Sequence, residues 1–169
     1  MRENWAMADA LIVNASPLIF LGNAGRLDLL LAAGASQIIV PQAVFDEVTA
    51  AQRDDRAART IKEAQWIERA APIDPPPSIL EWDLGPGESS VIATALATPQ
   101  ARPVLDDLLA RRCALALGLN VIGTLGLAVA AFRRGEVDDL RQLITELRAA
   151  GMWLSEEVIN RALRLAKQR

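Results

Sequence analysis

Apolar residues fall along the chain in two kinds of run. Ala10-Leu11-Ile12-Val13 and Gln37-Ile38-Ile39-Val40 are short and unbroken, the pattern of strands buried on both faces. Between them the apolar positions recur at helical spacing. Ser16-Pro17 offers an N-cap and a Pro at N1, so a helix is predicted to run from there to about Gly22. Arg26 to Ala33 reads as a second short helix closed by Gly34. Pro41 opens a helix whose apolar face is Val44, Phe45 and Val48, with Glu47 at the flank of that face near its strand-proximal end. A longer helix is predicted from Arg53 to Arg69, with Ile61, Ala64 and Ile67 inside. Ala71-Pro72-Ile73 reads as a short strand, and Asp74 to Gly87, with three consecutive Pro and Gly85-Pro86-Gly87, as a long loop.

Glu88 then sits in the first turn of a helix from Ser89 to about Thr98. Pro103-Val104-Leu105 is a strand that leads into Asp106-Asp107 and a helix to Leu117, stopped by Gly118. Asn120-Val121-Ile122 is a further short strand, and Thr124 is placed to cap a helix that ends at Arg134 before Gly135. Val137 to Ala150 and Ser155 to Lys167 are amphipathic helices opened by acids, as the helix dipole favours. Leu140, Leu143, Ile144 and Leu147 form a stripe that reads as core.

Buried strands alternating with helices predict an α/β fold, a three-layer α/β/α domain around a small, mostly parallel sheet. One domain is expected over 1–169, with its core at about 10–135 and C-terminal helices at about 137–167. In such sheets ligands bind beyond the carboxyl ends of the strands. Asn14 and Asp106 each end a strand, and Glu47 and Glu88 lie on helices near the same rim.

Composition narrows the chemistry open to that rim. The 169 residues include no His and one Cys, which removes a Ser-His-Asp triad, a His base, a disulfide and a Cys-based zinc site. Cys113 falls inside an apolar helical pattern and reads as core. Polar chemistry is left to Asp, Glu, Ser, Thr, Asn, Arg and Lys, and catalysis by a hard cation held on carboxylates fits that set. The net charge of −3 gives no global basic field. Among the 18 basic residues only Lys62 and Lys167 are Lys; Arg suits phosphate contacts, although base composition of the genome explains the excess as well. Glu3 and Asp9 interrupt any signal-peptide core, and Val121 to Phe132 is too short to span a bilayer, so a cytoplasmic protein with no membrane partner is expected.

Taken singly, the acids have ordinary readings. Asp106 and Asp107 fit an N-cap followed by an N1 acid, worth about 1 kcal/mol. Asp107 and Arg111 fit an i, i+4 ion pair, Glu88 a first-turn acid, Glu47 a solvated helix residue, and Asn14 a turn. Brought together they mean something else. Two unit charges about 4 Å apart repel by roughly 1 kcal/mol in water and roughly 4 kcal/mol at an intermediate dielectric, and a cation relieves that. Oxygen ligands alone suit Mg²⁺ or Mn²⁺.

The ordered set of segments Leu11-Ile12-Val13-Asn14-Ala15-Ser16-Pro17, Val40-Pro41-Gln42 through Glu47-Val48, Gly85-Pro86-Gly87-Glu88-Ser89, Val104-Leu105-Asp106-Asp107 with Arg111, and Ile122-Gly123-Thr124-Leu125-Gly126 resembles a PIN domain of the VapC-like toxin family, in a branch with the N-A-S-P opening. The resemblance runs from about Leu11 to Ala166. It implies a metal-dependent endoribonuclease, the toxin of a toxin-antitoxin pair, with a cognate antitoxin and a homodimer. It further implies catalytic roles for Asp106, Glu88, Glu47, Asn14 and Thr124, and Mg²⁺ or Mn²⁺ held by Asn14, Glu88, Asp106 and Asp107. Ser16 and Arg111 are its candidate phosphate contacts. Most PIN domains have Asp where this chain has Asn14; an amide oxygen still ligates a hard cation but adds no charge. The alternatives are an inert PIN-like interaction module and a DNA flap-type nuclease. Phosphate-loop and dinucleotide-binding glycine motifs are absent.

Overall fold

The structure, a computed structural model, describes residues 9–50 and 55–167. A four-stranded sheet lies at its centre: β1 (Ala10–Val13), β2 (Gln37–Pro41), β3 (Ile67–Ala70) and β4 (Ala101–Val104), in the order β3-β2-β1-β4 with every pairing parallel. β1 and β4 are buried along their whole length; β1 reads as an unbroken apolar run, whereas β4 carries Arg102 and starts two residues before the predicted Pro103. Helices flank the sheet, giving the three-layer α/β/α architecture that the pattern predicts.

Chain order gives α1 (Ala15–Ala24), α2 (Leu29–Ala32), α3 (Gln42–Val48), α4 (Arg56–Glu63), α5 (Pro77–Leu80), α6 (Pro86–Ala97), α7 (Leu108–Ala116), α8 (Thr124–Arg133), α9 (Leu140–Ala149) and α10 (Glu156–Lys167). α6 lies against β1, β2 and β4 with α3 beside it, and α1 packs against α4, α8 and α9. α10 rests on α8 and α9. Ile12, Leu18, Leu30, Ile92 and Leu127 are wholly buried between these layers, as are Leu143 and Leu147 of the α9 stripe apart from traces. Cys113 is core, as its pattern predicts, and burial pushes its thiol up from the ordinary value.

Several predicted boundaries move. α1 starts directly at the end of β1, with Asn14 and not Ser16 as its N-cap; Pro17 still falls in the first turn, where its missing N–H donor loses no intrahelical hydrogen bond. The helix predicted to reach Arg69 ends at Glu63. Asp55 caps its start by accepting from the Ala58 N–H, and Ile67–Ala70 becomes edge strand β3. The strand expected at Ala71-Pro72-Ile73 is therefore four residues earlier. Arg69 of β3 lays its guanidinium 3.6 Å from the centre of the Phe45 ring. The long loop holds a turn of helix, α5, which buries Ile79. Asn120 to Ile122 contributes one bridge, Ile122 to Val104, instead of a strand. α8 is capped at Gly123 with Thr124 as its first residue, and α9 begins at Leu140 after Asp139, whose side chain accepts from the N–H groups of Arg141 and Gln142. The reading of the first eight residues and the Arg53-Asp54 start of the long helix lie outside the described residues.

Candidate active site

The register of β1 on β4 sets Val13 opposite Val104, so the two strands end together. The Asn14 N–H donates to the Val104 carbonyl at 3.2 Å, which ties the residue after β1 to the end of β4. One residue further, the Leu105 N–H donates to Ile122 O at 2.9 Å and the Ile122 N–H to Pro103 O at 3.1 Å. These bonds bring the Gly123-Thr124 step alongside Asp106. Both Asp106 oxygens are then engaged by one residue: Oδ1 accepts the Thr124 N–H at 2.8 Å and Oδ2 accepts the Thr124 hydroxyl at 2.6 Å. Thr124 is fully buried and Asp106 half-buried, so the carboxylate is held in one orientation at the strand edge.

Arg111, one turn into α7, reaches back to this edge. Its Nη1 donates to Leu105 O at 2.9 Å. The predicted Asp107–Arg111 ion pair does not form. Asp107 instead caps α7, its Oδ1 accepting from the Ala110 N–H at 2.9 Å, so the ordinary cap reading holds for Asp107 and is displaced from Asp106. Gly123 makes the crowding possible. A Cβ there would fall 2.8 Å from Arg111 Nη1 and 2.9 Å from Asp106 Oδ1.

A second approach lies across Gly87, the second residue of α6. A Cβ at this position would stand 3.1 Å from Glu47 Oε2 and 3.4 Å from Asn14 Oδ1, so the glycine lets the two oxygens converge on the α6 backbone. Asn14 is 5% exposed and its side chain makes no hydrogen bond among the described residues. Glu47 belongs to the last turn of α3 and not to its strand-proximal end, and it is exposed. It reaches the rim because α3 packs on α6. Glu88, at the third position of α6, turns back so that its Oε2 accepts from the Gly85 N–H at 3.0 Å, the reciprocal half of a capping box.

The rim opens into a cleft of about 860 Å³ whose lining includes Ser16, Glu88, Asp106, Asp107 and Arg111. Asn14 and Glu47 stand behind it at Gly87, and Thr124 lies beneath Asp106. The residue types fit a hard divalent cation in kind: the candidate ligand atoms are oxygens, and Asn14 Oδ1 has no protein partner among the described residues. In arrangement the acids are spread out, and among the described residues no three His, Cys, Asp or Glu side chains gather closely enough to hold an ion. Sequence reasoning did not single out Gly87 and Gly123 as individual residues, nor Trp153 and Arg161 on the far wall of the cleft. The glycines were visible only as parts of longer segments. Nothing in the local pattern ties Trp153 to Asp106.

Residues 10–168 match the family model described as DUF3368, PIN domain. No curated protein matches the chain.

Proposed function

This chain belongs to the PIN-domain family, a nuclease-type fold, and on that premise we propose that it is a metal-dependent endoribonuclease of the VapC-like branch, the toxin of a toxin-antitoxin pair. The observation that carries the reading is the junction of β1 and β4, where Asn14, its side chain open to a ligand, and a rigidly held Asp106 carboxylate leave one strand edge together.

The residues that would hold Mg²⁺ or Mn²⁺ are Asp106, Glu88 and Asn14, with help from Asp107 and Glu47. A cation bound there supplies Lewis-acid stabilisation of phosphate charge and a stronger nucleophile from water at neutral pH. The protein's own groups do the rest. Asp106, its carboxylate fixed by Thr124, would hold the cation that meets the reacting phosphate. Arg111, pinned to Leu105 O, offers its remaining N–H groups to a phosphate oxygen. Ser16 is exposed in the first turn of α1, where a hydroxyl and helix N–H groups meet an anion entering the cleft. Thr124 spends its hydroxyl on Asp106 and is a positioning residue. Thr124→Val is expected to lower kcat by about 10–100-fold, the usual loss when an outer hydrogen-bond partner of a ligand is removed, and Thr124→Ser to restore most of it. Wild-type turnover in the Val variant would reduce Thr124 to a core residue.

The same reading gives the protein a cytoplasmic setting, a cognate antitoxin that covers the site, a homodimeric state and a single domain that includes α9 and α10. No helix of the described residues is long and apolar enough to cross a membrane. The test is digestion of mixed cellular RNA by the purified protein in Mn²⁺ or Mg²⁺ beside an EDTA control, with thermal melts in both. Cutting only with metal, and a melting temperature that climbs with metal concentration by mass action, are expected. Neither cutting nor metal-linked stabilisation would leave an inert interaction module. Cutting of branched DNA in preference to single-stranded RNA would make it a flap-type nuclease.

A further inference from the structure

The cleft has a second wall that the acids do not use. It is built by the segment between α9 and α10 and by one face of α10, where Val158, Arg161, Ala162 and Leu165 recur at helical spacing. At its lip stands Trp153, 85% exposed, while its neighbours Met152 and Leu154 are buried at 9% and 8%. The backbone is thus anchored on both sides of the indole. Met152 is fixed further by its N–H, which donates to Leu147 O at 3.1 Å. An aromatic ring held out on an anchored backbone loses little freedom when it stacks. Arg161 is exposed on the same wall and has no ion pair or hydrogen bond among the described residues, whereas nearby Arg148 is engaged with Glu156 at 3.2 Å.

We infer that Trp153 and Arg161 form a nucleotide subsite, in which the indole stacks on an unpaired base beside the scissile phosphate and the guanidinium meets a backbone phosphate. This inference rests on the ribonuclease reading of the acid rim. Charge complementarity favours a nucleic-acid strand. The rim end carries Glu88, Asp106 and Asp107, which repel phosphate, so a strand crossing the cleft needs a cation placed away from them. Arg161, on α10, supplies it within the same cavity. An exposed cation beside an exposed aromatic is the pair that holds single strands, since every base has a face to stack and the backbone phosphate meets the cation. A duplex hides those faces, so the subsite selects unpaired RNA.

The test uses the full chain with a short fluorescein-labelled single-stranded oligoribonucleotide and its duplex, binding being read by anisotropy in EDTA and cleavage in Mn²⁺. Trp153→Ala is expected to weaken single-strand binding by about 5–150-fold, the range of one lost base stack. It should raise KM with kcat little changed, and Trp153→Phe should retain most of the affinity. Arg161→Gln is expected to flatten the salt dependence of binding. The exposed indole supports no core contact, so the melting temperature should be unchanged. If wild type cleaves and Trp153→Ala binds and cleaves as well as wild type, the subsite is wrong while the nuclease reading stands, and the indole is left for a protein partner. If wild type neither binds nor cleaves, both fall.

Discussion

Asp106→Asn is expected to remove cleavage while leaving the fold standing. The folded structure can absorb the change because, among the described residues, Thr124 alone bonds this side chain. An Asn oxygen in the Oδ1 position still accepts the Thr124 N–H, and the Thr124 hydroxyl can turn to accept from the new amide. The cost to stability is therefore about 1 kcal/mol, the worth of a degraded hydrogen bond. Activity has no such escape. The substitution deletes a negative charge held rigidly at the β1–β4 edge, the carboxylate that on the proposed reading would hold the cation. Charge stabilisation of that kind amounts to several kcal/mol in the transition state, so kcat should fall by roughly 10²–10⁴-fold. Single-turnover cleavage of a fluorogenic RNA, beside a thermal melt, reads both quantities. Turnover equal to wild type would take Asp106 out of the site.

Gly123→Ala should be nearly as damaging although it touches no charge. The backbone here has φ −107°, which alanine adopts freely, so the effect is one of space alone. The added methyl would lie 2.8 Å from Arg111 Nη1 and 2.9 Å from Asp106 Oδ1, closer than carbon tolerates. The long arginine can swing away at the loss of its bond to Leu105 O. Asp106 is short and clamped by Thr124, and can yield only by loosening that clamp. A displacement of about 1 Å at a reacting group costs on the order of 10²-fold in rate, and overpacking costs about 1–3 kcal/mol in stability. A variant with the kcat of wild type would show that the spacing of Asp106 and Arg111 has no bearing on catalysis.

The layers of this fold were legible because β1 and most of β2 are buried and leave short apolar runs, whereas β4 carries Arg102 and was read only from Pro103 onward. β3 was not legible. It is an edge strand with one buried residue, Ile67, and exposed Glu68 and Arg69, so the Ile61-Ala64-Ile67 spacing continued the helical period across a real break. The site divides in the same way. Asn14 and Asp106 could be placed on one edge from strand ends alone, since parallel strands end together. The cap on α7 went to Asp107 because Asp106 has a partner eighteen residues away, Thr124, that no local pattern announces. Glu47 was placed at the wrong end of α3 for a related reason: what brings it to the rim is the packing of α3 on α6 through Gly87.

The central position of β1 has a consequence for how the protein comes into being on the ribosome. β1 pairs early with β2, its neighbour in sequence, but its other edge stays open until residues 101–104 have been made. Asp106 has no clamp until Thr124 follows, and the cleft has no second wall until α10 is complete. Contacts over such separations are slow to form, and an open strand edge is a hazard while they wait. The nascent chain is thus without a finished β1–β4 edge until Thr124 has been made, and any partner that recognises the whole cleft has nothing to grip until α10 is in place.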